Sequence, residues 1–276
     1  MDRKYELLRN DCINYEGRTL YRIKALRDFD DVRKGYIGGY IESEDNLSHD
    51  NYCWVYDNAI VCDKARVLGS AKVFGHAKIY DYAMIFDFAE INQNAEVYEE
   101  ARIYDNSLIS GNAKVYGNVE TWGNIEIFGN ARVYDEAFIS DNAAIYGNAN
   151  IHGSASICNY AKIHGSTTVN GSSKIYANAL LYGNTYIFNK NIISTISMPF
   201  KKIFQHQCVH RILTAILTEN DEILYTIGCQ NNITEEKFID RIHNKDGGLK
   251  ENPHRKEYLE LIPLINIYLK GEHNND

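Results

Sequence analysis

Four tyrosines recur at intervals of 18 residues, Tyr80, Tyr98, Tyr116 and Tyr134, and His152 continues the series. Two residues before each tyrosine stand Lys78, Glu96, Lys114 and Arg132. Aromatic rings can stack on a base, and ammonium or guanidinium groups can hold phosphate. The pairing therefore suits a small anionic, nucleotide-like ligand, with Lys78, Tyr80, Tyr98, Lys114, Tyr116, Arg132, Tyr134 and His152 as the candidate binding residues. The competing use of such rings is to stack on one another and stabilise neighbouring strands. A second series at the same interval, Phe86, Tyr104 and Trp122 with Met84 and Phe138 alongside, reads as a contact surface. A third, Phe74, Asn92, Ser110, Phe128, Tyr146 and His164, is mixed.

Imidazoles offer proton transfer, and His49, His76, His152 and His164 lie in or just before the periodic region. In the stretch QHQCVH, His206, Cys208 and His210 alternate, so an extended strand would bring all three to one side. With a fourth ligand they could hold zinc, but alternation equally describes an ordinary strand, and no metal is assigned. The chain contains no phosphate-binding Walker loop, dinucleotide fingerprint or nucleophile elbow.

The interval of 18 is three times a shorter beat. From Cys53 to Lys190 the chain reads as 23 uninterrupted hexads with the consensus A-x-[IV]-[YF]-[GD]-N. The third position is aliphatic in 22 of them, Thr121 being the exception, and the first is alanine in 16. Around Thr121 the first positions carry Val119 and Ile125, which reads as volume exchanged between neighbouring core sites. A short strand points its aliphatic residue inward, a Gly-Asn or Asp-Asn corner takes the turn, and alanine fits where the corner narrows. Three sides make one coil, and with parallel strands about 4.8 Å apart the coils build a prism roughly 37 Å long.

Read from the aliphatic position the unit is [LIV]-x-x-x-[STAV]-x, as in VFGHAK and VYGNVE. This resembles the hexapeptide-repeat, left-handed parallel β-helix superfamily, whose transferases are usually homotrimers. The resemblance implies a mainly β chain, a left-handed parallel β-helix of hexapeptide repeats, to which a small α+β C-terminal domain is added. It also implies trimeric assembly and, for an acyltransferase, a catalytic histidine at a subunit interface with coenzyme A along the coils; His152 and His164 are the candidates. No loop interrupts the repeats here, whereas many transferases of the superfamily complete their sites with one. The lead-in, RTLYRIKALRDF through GGYIESEDNLS to WVYDNA, is similar to phage, prophage and gut-bacterial repeat proteins labelled as transferases.

Three segments follow: residues 1–46, N-terminal strands around Gly17 and the glycine-rich KGYIGGYIE; residues 47–196, the β-helix; and residues 197–276, the α+β domain. The last is expected to hold two strands around a turn at Glu219 to Glu222. A capped helix begins at Thr234, and a final helix is interrupted near Pro263. Such a domain could cover the open end of a solenoid, where unpaired strand edges invite aggregation.

A net charge of −8 gives no basic field for general nucleic-acid or anionic-membrane binding. Six cysteines without C-x-x-C spacing read as reduced thiols, and no apolar run has the length of a membrane span. The expectation is a cytoplasmic, nonenzymatic homotrimer holding a small anionic ligand at intersubunit grooves, with no resident cofactor. An acyl-coenzyme A-dependent acyltransferase and a structural or protein-docking module are the alternatives.

Overall fold

The computed structural model describes residues 3–183, 185–187, 192–193, 200–208, 211–218, 220–227, 230–243 and 255–271. The chain divides into two compact units, Met1–Leu180 with Phe188–Ile196, and Leu181–Ile187 with Ser197–Asp276.

The first unit is a parallel β-solenoid. Most hexads supply a two-residue strand, such as Lys78–Ile79, Glu96–Val97 and Lys114–Val115, with four-residue strands at Glu120–Gly123 and Phe138–Asp141, and these strands pair in parallel with those 18 residues on. Three sheets result, so the coil has three sides. The third-position side chains Ile79, Val97, Ile103, Val115 and Ile145 have no exposure, and the alanines of the first position have at most 1%. The core is thus an axial stack of aliphatic residues with small residues in the corners.

The corner chemistry follows from backbone conformation. The fifth residue of the hexads adopts positive φ, as at Asp81 (57°), Asp105 (56°), Gly111 (72°) and Gly117 (77°). Glycine reaches this region without penalty, and Asp or Asn tolerates it best among the others. A Cβ on Gly117 would come within 2.6 Å of the Asp135 carbonyl oxygen in the next coil, so close coil spacing adds to the preference there. Where Asp stands instead, its carboxylate accepts the next coil's backbone N–H, as Asp105 does from Gly123 at 2.8 Å and Asp135 from Gly153 at 2.9 Å. The sixth-position asparagines form amide ladders, Asn94 to Asn112 to Asn130 to Asn148, at 3.2, 3.0 and 3.0 Å.

Thr121 is accommodated by polarity as well as by volume. Its hydroxyl lies 2.9 Å from that of buried Ser107, which donates onward to the Tyr104 carbonyl at 2.6 Å. The hydroxyl in the core therefore has a partner.

At the N-terminal end, β1 (Tyr5–Tyr15) and β2 (Arg18–Ala25) form an antiparallel hairpin, and β3 (Ile37–Ile41) pairs with β2 and then in parallel with Ile60–Val61. The hairpin thereby extends one sheet of the solenoid. Gly38 and Gly39 permit this approach, because a Cβ on either would meet backbone oxygen of the first coil at 2.5 or 2.6 Å. Arg22 fastens the junction, donating to the carbonyls of Gly38 and Asp57 at 3.0 and 2.7 Å while lying over the Tyr40 ring.

The second unit contains an antiparallel sheet of Phe200–Cys208, Arg211–Thr218, Ile223–Ile227 and Gln230–Thr234. Two helices, α1 (Glu235–His243) and α2 (Arg255–Lys270), share a core with it around Leu213, Tyr225, Phe238, Tyr258 and Ile265. Thr234 Oγ1 accepts from the Lys237 N–H at 3.4 Å, as a cap at that position should. The expected interruption at Pro263 does not occur: α2 runs through it. Pro263 sits on the exposed face, where a carbonyl that loses its helical donor can turn to water.

Candidate functional site

The hexad register carries the fourth-position side chains outward, so the series at intervals of 18 become physical columns. On the first face Tyr80, Tyr98, Tyr116, Tyr134 and His152 stack ring on ring, with centroids 4.8, 4.7, 4.9 and 4.8 Å apart and planes within 5° of parallel. The spacing is that of parallel strands, so backbone geometry sets the stack. Each inner ring has a neighbour on both faces, and only its edge and hydroxyl face outward. A base cannot lie between these rings without displacing one of them.

The cations beside the column differ from one another. Lys114 Nζ is 2.8 Å from Glu96 Oε2, which the Tyr80 hydroxyl also approaches at 3.5 Å. Lys78 Nζ lies 5.1 Å above the Tyr15 ring of β1, so the hairpin covers the start of the column. Arg132 is exposed and has no ion-pair partner among the described residues. Its strand neighbour Asn150 donates to the Tyr134 hydroxyl at 3.4 Å. The interval of 18 thus predicts the column, but only side-chain positions distinguish Lys114, paired with Glu96, and Lys78, set over Tyr15, from Arg132.

Burial, and then the neighbouring Tyr116, Glu99 and Glu96, push the Tyr98 phenol up to about 12. Burial followed by Glu96 drives Tyr80 up as well, and burial chiefly raises Tyr116. These hydroxyls stay protonated and can donate to an anion.

His152 closes the column with Nδ1 3.6 Å from Asp135 Oδ2, a carboxylate oxygen that already accepts the Gly153 N–H at 2.9 Å. His164 belongs to another stack on the mixed face, which runs from Phe128 to Tyr146 to His164 at 4.8 and 4.7 Å. The two candidate histidines therefore lie on different faces. His49 is stacked 4.3 Å from the Tyr5 ring and accepts from the Lys4 N–H at 3.3 Å, a structural position. On the remaining face Phe86, Tyr104 and Trp122 stack at 4.6 and 4.3 Å. Trp122 keeps 42% of its surface exposed and Phe138 beside it 39%.

His206 Nε2 lies 3.3 Å from Glu257 Oε1. The Cys208 side chain and His210 fall outside the described residues. Among the described residues no group of three or more His, Cys, Asp or Glu is placed to hold a metal ion. Cys12, Cys53, Cys62 and Cys158 are free thiols. No helix among the described residues is long and apolar enough to cross a membrane.

A scan against protein-family models finds no match, and a search of curated proteins finds none.

Proposed function

We propose that this chain is a nonenzymatic binding protein, a homotrimer of solenoids that holds a small anionic, nucleotide-like ligand in grooves between subunits. The observation that carries the reading is Arg132, an exposed guanidinium with no ion-pair partner among the described residues, at the rim of a column of protonated tyrosine hydroxyls. Phosphate would sit against Arg132 and the phenols, with His152 at the end of the column. The flat part of the ligand would meet ring edges and a second subunit rather than enter the stack. The exposed Phe138 and Trp122 face supplies the apolar contact for assembly. The resemblance to the hexapeptide-repeat superfamily and to phage and prophage repeat proteins gives this groove a use, the sequestration of a host signalling nucleotide.

Acyl transfer is the second reading, favoured by the His152 and Asp135 pair, in which a carboxylate orients an imidazole. Coenzyme A fits this chain poorly, because the His152 ring is engaged by Tyr134 and, among the described residues, no loop projects from the repeats to complete a site. No step is therefore derived through it.

Native mass spectrometry of the protein purified from its natural cell tests the proposal in one measurement. A trimer retaining a phosphate-bearing small molecule, lost when Arg132 is replaced by alanine, is the expected result. A trimer without ligand points to a scaffold or docking module, and turnover of acetyl-coenzyme A with an amine or sugar points to the transferase. Trp122→Glu should shift the trimer toward monomer in sedimentation, and an unchanged mass would place the interface on another face.

A further inference from the structure

Lys4 is fully buried, and its amine lies 2.8 Å from the Cys53 carbonyl oxygen, 3.3 Å from Cys53 Sγ and 3.4 Å from the Asp50 carbonyl oxygen. Cys53 is also fully buried, its sulfur facing the carbonyls of Val67 and Ser48 at 3.5 and 3.6 Å. Two departures from the pattern of the chain coincide at this point. Cys53 occupies the first position of a hexad, where 16 of 23 hexads carry alanine and no other carries cysteine. A lysine amine is the group brought against it, although burying an amine is costly and an apolar residue would close the coil.

We propose that Lys4 and Cys53 form a self-modification site, at which dioxygen joins them through a single oxygen atom as an Nζ–O–Sγ bridge. One amine, one thiol and one dioxygen give the bridge and one water. The O–O bond breaks, N–O and S–O bonds form, and two N–H or S–H hydrogens leave with the second oxygen as water. Nitrogen and sulfur are each oxidised by two electrons, and dioxygen takes up all four. Burial is the largest cause holding the Lys4 amine below its ordinary range and the Cys53 thiol above its own, which favours the neutral pair that the reaction consumes. Dioxygen is small and apolar, and local opening of the N-terminal strand admits it. The bridge would staple residue 4 to the first coil across 49 residues of chain, reversibly, since thiol reductants cleave it.

The test compares the full chain held in air-saturated buffer with the same protein under nitrogen, by intact mass without reductant. The aerobic sample should be heavier by about 14 Da, one oxygen gained and two hydrogens lost, and should return to the original mass with dithiothreitol. Peptide mapping should join the peptides containing Lys4 and Cys53. The bridged form should melt roughly 7 to 10 °C higher, as a closed loop of this size implies. Cys53→Ala installs the residue usual at this position, so it should fold normally and never gain the mass. Lys4→Met should abolish the gain too. No gain in the wild type, a gain of about 32 Da confined to Cys53, or a gain that survives Cys53→Ala would each overturn the assignment.

Discussion

Replacing Tyr116 with alanine measures what the tyrosine column contributes to the fold. The ring is half-buried and lies 4.7 Å from Tyr98 and 4.9 Å from Tyr134, nearly parallel to both. Each aromatic pair is worth about 0.5 to 1.5 kcal/mol beyond area burial, so losing two removes about 1 to 3 kcal/mol. Loss of the ring's partial burial brings the expected cost to about 2 to 4 kcal/mol. Lys114→Ala breaks an ion pair whose side chains are 39% and 21% exposed, which is worth at most about 1 kcal/mol. Arg132→Ala removes an exposed charge and should change stability by less than about 0.5 kcal/mol. Tyr116→Phe keeps the ring and should keep most of the stability. Urea unfolding followed by circular dichroism gives all four values, provided that the denaturant slopes agree. If Tyr116→Ala and Lys114→Ala lie within about 1 kcal/mol of each other, stacking does not stabilise the solenoid and the argument from ring geometry fails.

Ile103→Asp places a charge in the fully buried axial stack and should prevent folding, so a near-normal melting temperature would refute the hexad register. Ser107→Ala should cost about 1 to 3 kcal/mol, because it leaves the buried Thr121 hydroxyl without a partner, whereas Thr121→Val should cost less. Equal losses in the melting curves of those two variants would discount the hydrogen bond. Tyr98 ionises at about 12 in the folded chain against 10.0 ordinarily, so the folded state holds its proton longer. Its contribution should be complete below pH 10 and decline as pH rises toward 12, visible as a falling melting temperature that Tyr98→Phe makes shallower.

The repeat alone determined the parallel β architecture, the buried positions, the corners and the three outward columns. The reason is that a six-residue period leaves one way to bury an aliphatic residue on every side while a Gly or Asp takes the positive-φ corner. Spacing also placed Tyr80, Tyr98, Tyr116 and Tyr134 above one another, since parallel strands keep register. What the rings do with their faces was not legible, because a column can stack on itself or open to a ligand with the same sequence period. The side-chain positions decided for stacking. The cations show the same limit: Lys78, Lys114 and Arg132 are equivalent by spacing, yet one lies over Tyr15, one meets Glu96 and one is exposed. Those outcomes depend on a hairpin outside the repeat and on long, flexible side chains. Pro263 misled because local propensity predicts a break that an exposed helix face can absorb. The contact between Lys4 and Cys53 lies beyond any local reading, since it joins the residue before β1 to the first coil across 49 residues, and only packing of the closed fold brings amine and sulfur together.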